Sequence, residues 1–204
     1  MLSKVDIFMT GVGGQGIIKA SDILADVALT AGYDVKKTDS LGMSQRGGSV
    51  VSQVRLAEKK VFSPTISPGS ADYLVAFERL EAVRYAGFLR ADGIAIVDST
   101  AIPPLSVFNE GYHYPSLDEA KQSLAAITRQ VYFLPAVEMA TELGTPRVAS
   151  VLCLGFLSVF LEIAEPTWLN AIERLLPPHL SQVNRRAFAI GVEVAREQRK
   201  KGGD

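Results

Sequence analysis

Near the start of the chain, Gly11, Gly13 and Gly16 fall on a G-x-G-x-x-G spacing, with Gly14 and Gln15 inside it. In that pattern glycine serves a tight turn, lets the backbone approach an anionic group, and permits close helix–strand packing. A helix starting at Gly16 leaves its first N–H groups unpaired and aimed at the loop, with the positive end of its dipole behind them. Phosphate or carboxylate is the matching ligand, with Gly13, Gly14 and Gly16 as N–H donors and Gln15 as an amide that can donate and accept. A dinucleotide would also want an acidic residue about 20 positions on, closing the second strand. Asp34 instead precedes Val35, and Asp39 lies in a stretch rich in serine and glycine. NAD or FAD binding and a plain strand–helix turn without nucleotide both stay open.

A second group is Ser44, Arg46, Gly47 and Gly48, in a run from Asp39 to Gly48 that keeps neither a helical nor a strand period and reads as a loop. A guanidinium there can clamp a carboxylate or phosphate through paired donors, or brace the loop by bonding carbonyls. Two anion-seeking loops at one sheet edge would suit a substrate carboxylate, a coenzyme A phosphate or a partner's acidic surface. His113 and His179 have no His or carboxylate at metal-ligand spacing, so no metal site is expected. Cys153 lies in an apolar helical stretch, where a thiol behaves as a small hydrophobe. Asp98-Ser-Thr100 closes a strand and reads first as a cap or turn. Glu78-Arg79 and Glu81-Arg84 read as a solvated helix face. No residue of this chain is assigned a catalytic role.

The elements that must position these groups follow from periodicity. The seven residues from Val5 read as a buried strand and Gly16–Ala31 as a helix, with Ile17, Ala20, Leu24, Val27, Ala28 and Ala31 on one side. Tyr33–Thr38 is a weaker strand. Val50–Leu56 alternates and, turning at Ala57-Glu-Lys-Lys60, suggests a hairpin with Val61-Phe62. Tyr73–Phe77, Gly93–Val97 and Gln130–Leu134 read as strands, with helices at Glu78–Leu89 and Leu117–Ala126. Pro103 to Pro115 reads as an irregular surface excursion. The last third is helical: a segment Arg147–Ile163 that is apolar nearly all round and must be buried on every side, in the core or under another chain, then Thr167–Leu176 and His179–Arg199. The alternation predicts an α/β fold, a three-layer α/β/α arrangement on a mainly parallel Rossmann-like sheet, with an antiparallel hairpin addition and a helical C-terminal third. No linker splits residues 1–204, so one domain is expected.

Bulk composition narrows the classes. A net charge of −1 gives no basic field, which disfavours nucleic acid. With 48% hydrophobic and 21% charged residues, the chain can bury a core without staples. Its single cysteine excludes an intrachain disulfide framework and a four-cysteine cluster, and fits a cytoplasmic protein. Met1–Lys4 leads straight into a strand, so no signal peptide is expected. The apolar stretch ending before Glu165-Pro166 is too short and unanchored for a membrane span.

Gly11-Val-Gly-Gly-Gln-Gly16, followed by Ser40-Leu-Gly-Met-Ser-Gln-Arg-Gly-Gly-Ser49, resembles the gamma-type subunit or domain of 2-oxoacid:ferredoxin oxidoreductases, above all the small subunits of the indolepyruvate type. The similarity runs from Lys4 to Ala195 and includes Pro146-Arg-Val-Ala-Ser-Val-Leu-Cys-Leu-Gly155, where such chains often carry asparagine in place of Ala149 or Ser150. The resemblance implies a complex that decarboxylates a 2-oxoacid oxidatively to an acyl-CoA, with coenzyme A as co-substrate and electrons passed to ferredoxin. Thiamine diphosphate, magnesium and iron–sulfur clusters are then expected on a large alpha partner subunit. This chain has no Gly-Asp-Gly followed by a suitably placed Asn, and lacks the cysteines a cluster needs. By itself it is expected to be inactive. A stand-alone nucleotide- or coenzyme A-binding module and a non-catalytic scaffolding subunit remain the alternatives.

Overall fold

The computed structural model describes residues 4–42, 47–103 and 113–201. Its axis is β1 (Lys4–Val12), buried along its length after Lys4 because layers of helix cover both faces of the sheet. The other strands are β2 (Asp34–Leu41), β3 (Ser49–Ala57), β4 (Ala71–Ala76), β5 (Leu89–Asp98) and β6 (Gln130–Leu134), in the spatial order β2-β3-β1-β4-β5-β6. β4, β5 and β6 continue parallel to β1, while β3 runs antiparallel to both β1 and β2. The sheet is thus mixed, with an antiparallel hairpin joined to a parallel half. The hairpin is β2–β3, however. Val61-Phe62 forms no strand, and Asp39, Ser40 and Leu41, expected in a loop, pair with Ser52, Val51 and Val50. Pairing with a neighbour overrides a polar local sequence that carries no strand signal of its own.

Helices α1 (Ile17–Thr30), α4 (Ala136–Glu142), α5 (Ala149–Ser158), α6 (Glu165–Leu175) and α7 (Ser181–Lys201) cover one face, and α2 (Arg79–Tyr85) with α3 (Leu117–Ala125) covers the other. Successive β1 side chains divide between them: Val5, Ile7 and Met9 join the α1 side and Phe8 the α2 side, as the two-residue period of a strand requires. The apolar segment expected as one long helix is broken. Pro146–Val148 makes a single 3-10 turn, and α5 ends at Ser158. Every residue from Ala149 to Leu157 is buried, enclosed by the sheet, α4 and α7 within this same chain. α5 and α7 touch through backbone: a Cβ added to Gly191 would lie 2.0 Å from the Leu152 carbonyl oxygen, and one on Gly155 2.1 Å from that of Phe188. α4 carried no expectation, because seven residues with two buried alanines leave little periodic trace.

At the far end of the sheet from the glycine loop, one ion pair sets the register. Asp6 on β1 lies opposite Arg55 on β3 and accepts Nε at 2.9 Å, with the carboxylate almost fully buried. Arg55 also donates to the carbonyls of Ser63 and Thr65, which straps the following coil onto the sheet. A slip of one residue would break all of these bonds and turn every β3 side chain to the wrong face. Arg55→Met should therefore lower unfolding free energy by about 3 kcal/mol, because it leaves a buried carboxylate with only Lys4 as its counter-ion. The measure is urea denaturation, with Asp6→Asn added to Arg55→Met restoring part of the loss.

Candidate functional site

Where β1 ends, α1 departs to one face of the sheet; where the neighbouring β4 ends, α2 departs to the other. The crevice between those two strand ends is a topological switch point, the place where open α/β sheets receive ligands. Gly14 and Gln15 lie beside it after β1, Phe77 after β4, and Asp98 and Thr100 at the end of β5. A cleft of about 310 Å³ opens among them and is closed by Val137, Pro146 and Arg147.

The glycine loop is more committed to internal bonds than its composition suggests. Gly13, expected to offer its N–H to a ligand, donates it to the Gly48 carbonyl at 2.8 Å. Gln15, expected to face a ligand, accepts from Val12 N–H at 2.7 Å through Oε1 and donates through Nε2 to the Phe77 carbonyl. The Gln15 amide is a clamp between the ends of β1 and β4. Gly11 makes room for it, since a Cβ there would lie 2.9 Å from Gln15 Oε1 and 3.0 Å from the Phe77 Cβ. Gly16 caps α1 at φ +83°, a left-handed conformation open to glycine at little cost. What stays available is narrower than expected: among the described residues, the N–H groups of Gly14 and Gly16 have no protein acceptor, and the first turn of α1 holds no acidic residue.

The Gly13–Gly48 bond brings Gly47 and Gly48 of the β2–β3 connection to the glycine loop. Ser44 and Arg46 lie outside the described residues. β3 stands between β1 and β2, so the end of β2 is two strand spacings, about 10 Å, from the glycine loop. Asp34 accepts from Val61 N–H, and Asp39 pairs with Ser52 and Lys37. A ribose-binding acid at the end of an adjacent second strand therefore has no counterpart here.

The acidic residues of α2 are corrected outright. Glu78 is 0% and Glu81 3% exposed, against the expected solvated face. Glu78 caps α2 by accepting Glu81 N–H at 3.0 Å, and also accepts Ile102 N–H and the Tyr114 hydroxyl. Glu81 accepts the Ser49 hydroxyl at 2.5 Å and pairs with Arg84 at 2.7 Å, while Ser49 also meets the Tyr85 hydroxyl. Each carboxylate thus holds a different loop rim: Glu81 the end of the hairpin connection, Glu78 the start and finish of the excursion after β5. Burial, only partly offset by the Ser49 hydrogen bond, raises the Glu81 carboxyl above its ordinary value. Asp98 is also raised, chiefly by burial. It makes a turn, accepting the Thr100 N–H and hydroxyl, and its other oxygen is buried facing Ala136 and Val137 at the start of α4. His113 is exposed and meets Glu119; His179 sits in a 3-10 turn; Cys153 is fully enclosed, and burial raises its thiol well above the ordinary value. Among the described residues no three His, Cys, Asp or Glu side chains could hold a metal ion together.

Sequence reasoning passed over Lys19, Arg147 and Ser150 as site residues. They gather on the other side of Gly14 and Gly16 from the switch-point cleft, around a second pocket of about 240 Å³. A lone Arg behind a proline, and a lysine on a helix otherwise read for its apolar face, carry no local signal of that meeting.

The class these features define is a doubly wound α/β protein whose first helix starts at the switch-point edge without a side-chain cap or an acidic residue in its first turn. A family model described as pyruvate ferredoxin/flavodoxin oxidoreductase matches residues 6–194, and the chain belongs to that family. Indolepyruvate oxidoreductase subunit IorB of Thermococcus kodakarensis is 36% identical over 199 residues, covering 96% of this chain and 98% of its own length. The gamma subunit of a keto/oxoacid ferredoxin oxidoreductase from Geobacter sulfurreducens shares the fold, with a TM-score of 0.69 at 23% identity over 95% of this chain and 99% of that one. A 2-oxoglutarate:ferredoxin oxidoreductase from Magnetococcus marinus, solved with 2-oxoglutarate, coenzyme A and succinyl-CoA bound, also shares it. There the TM-score is 0.74 at 21% identity, and the match spans 97% of this chain but 32% of the other. No helix among the described residues is long and apolar enough to cross a membrane.

Two measurements probe this arrangement. Gln15→Ala strands a buried N–H and a carbonyl, and should cost about 2 kcal/mol in urea denaturation, with faster proteolysis between Val12 and Gly16. Because the folded value of Glu81 lies above its unfolded one, its contribution is full below about pH 4.5, the ordinary glutamate value, and is lost as pH rises through the folded value. Glu81→Gln should remove that component, so the wild-type minus variant stability difference declines with pH across the window.

Proposed function

We propose that this chain is the small subunit of a 2-oxoacid:ferredoxin oxidoreductase acting on indolepyruvate or another aryl pyruvate. The whole of residues 1–204 then serves as one gamma-type catalytic domain. The observation that carries the reading is similarity to an indolepyruvate oxidoreductase subunit over nearly the full length of both chains. On this reading the complex converts the 2-oxoacid to an acyl-CoA by oxidative decarboxylation and passes electrons to ferredoxin. Thiamine diphosphate, magnesium and the iron–sulfur clusters reside on a large alpha subunit, and the complex works in the cytoplasm without nucleic acid or membrane.

The part given to this chain is to present donors to an anionic co-substrate, coenzyme A, at the glycine loop and at the adjoining connection that carries Ser44, Arg46, Gly47 and Gly48. The N–H groups of Gly14 and Gly16, which have no protein acceptor among the described residues, lie at a helix start without a side-chain cap and support that role. One observation favours the scaffolding alternative for part of the loop: Gly11, Gly13 and Gln15 are engaged in holding the fold together.

Co-expression with a large subunit provides the test. Turnover of indolepyruvate with coenzyme A and a viologen acceptor should require both chains, each alone giving background. Full-rate turnover by the large subunit by itself would remove the catalytic role and leave scaffolding.

A further inference from the structure

The two edges of the sheet are finished differently. On the β6 side, Gln198 of α7 donates to the Phe133 carbonyl and caps a strand of five residues. On the other side β2 pairs with β3 alone, and among the described residues no backbone hydrogen bond reaches it from any other element. The large apolar side chains that stay exposed among the described residues are Leu29, Leu41 and Phe62, and all three flank this strand. Phe62 follows Val61, whose N–H is held by Asp34. Val35, Lys37, Asp39 and Leu41 alternate onto the α1 face, where Lys37 meets Asp22 at 2.5 Å and Val35 packs on the core. α1 runs opposite to β2. Leu29, two helical turns beyond Asp22 on the same side of the helix, therefore stands above the Val35 end of the strand, 57% exposed. Leu41 is 70% exposed at the other end.

We propose that β2 is the seam of a homodimer, pairing antiparallel with the β2 of a second copy across a twofold axis through Thr38. Such an axis stands perpendicular to the sheet, so residues opposite each other share a face and the register can change only in steps of two. With Thr38 opposite Thr38, Lys37 faces the second copy's Asp39, Val35 faces its Leu41 and Lys36 faces its Ser40. The neighbouring registers set Lys37 against Lys37 or Asp39 against Asp39, and like charges directly opposite oppose pairing. In the favoured register one face of the seam carries opposite charges and apolar pairs, and the other a threonine pair, all of which stabilise antiparallel strands. Both copies of α1 lie on the same face of the joined sheet, so each exposed Leu41 is covered by the second copy's Val35 and Leu29. Charged side chains ordinarily guard an edge strand. Here Asp22 and Asp39 draw Lys37 in, at 2.5 and 3.0 Å, and Lys36 meets a serine, so neither blocks the incoming strand. The match is one of this segment to itself, which is what selects a second copy as the occupant. The seam is independent of what the glycine loop binds.

Sedimentation equilibrium of the full chain, and of its complex with a large subunit, tests the seam together with cysteine cross-linking. The chain should sediment as a dimer that dissociates on dilution, and the complex should contain two small chains. Leu41→Asp, at an exposed position, should weaken the dimer on the order of a hundredfold, because two leucines leave the seam at once. Thr38→Cys should give a disulfide-linked dimer under mild oxidation, with the fully enclosed Cys153 taking no part. Lys36→Cys should not, since its two copies stand four residues, about 13 Å, apart along the seam. Adding Ser40→Cys to Lys36→Cys should restore the link. A chain that stays monomeric by itself and is present once in the complex would overturn the proposal. So would a dimer that survives Leu41→Asp and gives no Thr38→Cys link, which places the contact on another surface. A link through Lys36→Cys in place of Thr38→Cys would overturn the register. A large subunit that binds one small chain and shields Thr38→Cys would make that subunit the occupant of the edge instead.

Discussion

The glycine-loop edge of the sheet depends on one side chain. Gln15 joins the end of β1 to the end of β4 by accepting from Val12 and donating to Phe77, and the space it occupies exists because Gly11 has no Cβ. Between those tied strand ends and α1, Gly16 makes the turn into the helix in a left-handed conformation. Among the described residues the Gly14 and Gly16 amides beside that clamp have no protein acceptor. A loop of glycines without it would have many conformations and no fixed donor geometry.

The antiparallel β3 reshapes what an α/β edge can do. By standing between β1 and β2 it removes the neighbouring strand end from which a dinucleotide fold reads its ribose. In exchange it delivers the hairpin connection to the glycine loop, where Gly48 takes the Gly13 amide. The carboxylates of α2 complete the frame. Glu81 fixes Ser49 at one rim, and Glu78 fixes Ile102 and Tyr114 at the other. Their burial is tolerable because each is met by several donors, which is the condition for keeping acidic groups out of water.

Much of this was legible from residue order, and the failures have physical causes. β6, α3 and the run of α1 follow from apolar periodicity and clear stops, and their bounds agree with expectation closely. α5 announced its enclosure because no face of it could meet water. β2 was cut short, since Asp39, Ser40 and Leu41 owe their strand conformation to β3. The pairing of Glu78 with Arg79 and of Glu81 with Arg84 looks like surface charge in one dimension; only the packing of α2 on the sheet shows both carboxylates inside. Gln15 looked like a ligand donor because an amide's chemistry is the same whether its partner is a ligand or a carbonyl of the protein.

What the sequence by itself determined is the local physics: a strand stopping at glycines, a helix start stripped of acidic residues, an apolar helix obliged to hide, and a motif pair sufficient to point to the family. These depend on neighbours along the chain, where spacing dictates geometry. The tertiary structure alone decided which of the loop's donors remain free, which carboxylates are buried, and that Lys19, Arg147 and Ser150 share a pocket. Those outcomes are set by groups far apart in sequence competing for the same hydrogen bonds and the same space, and no local pattern records who wins.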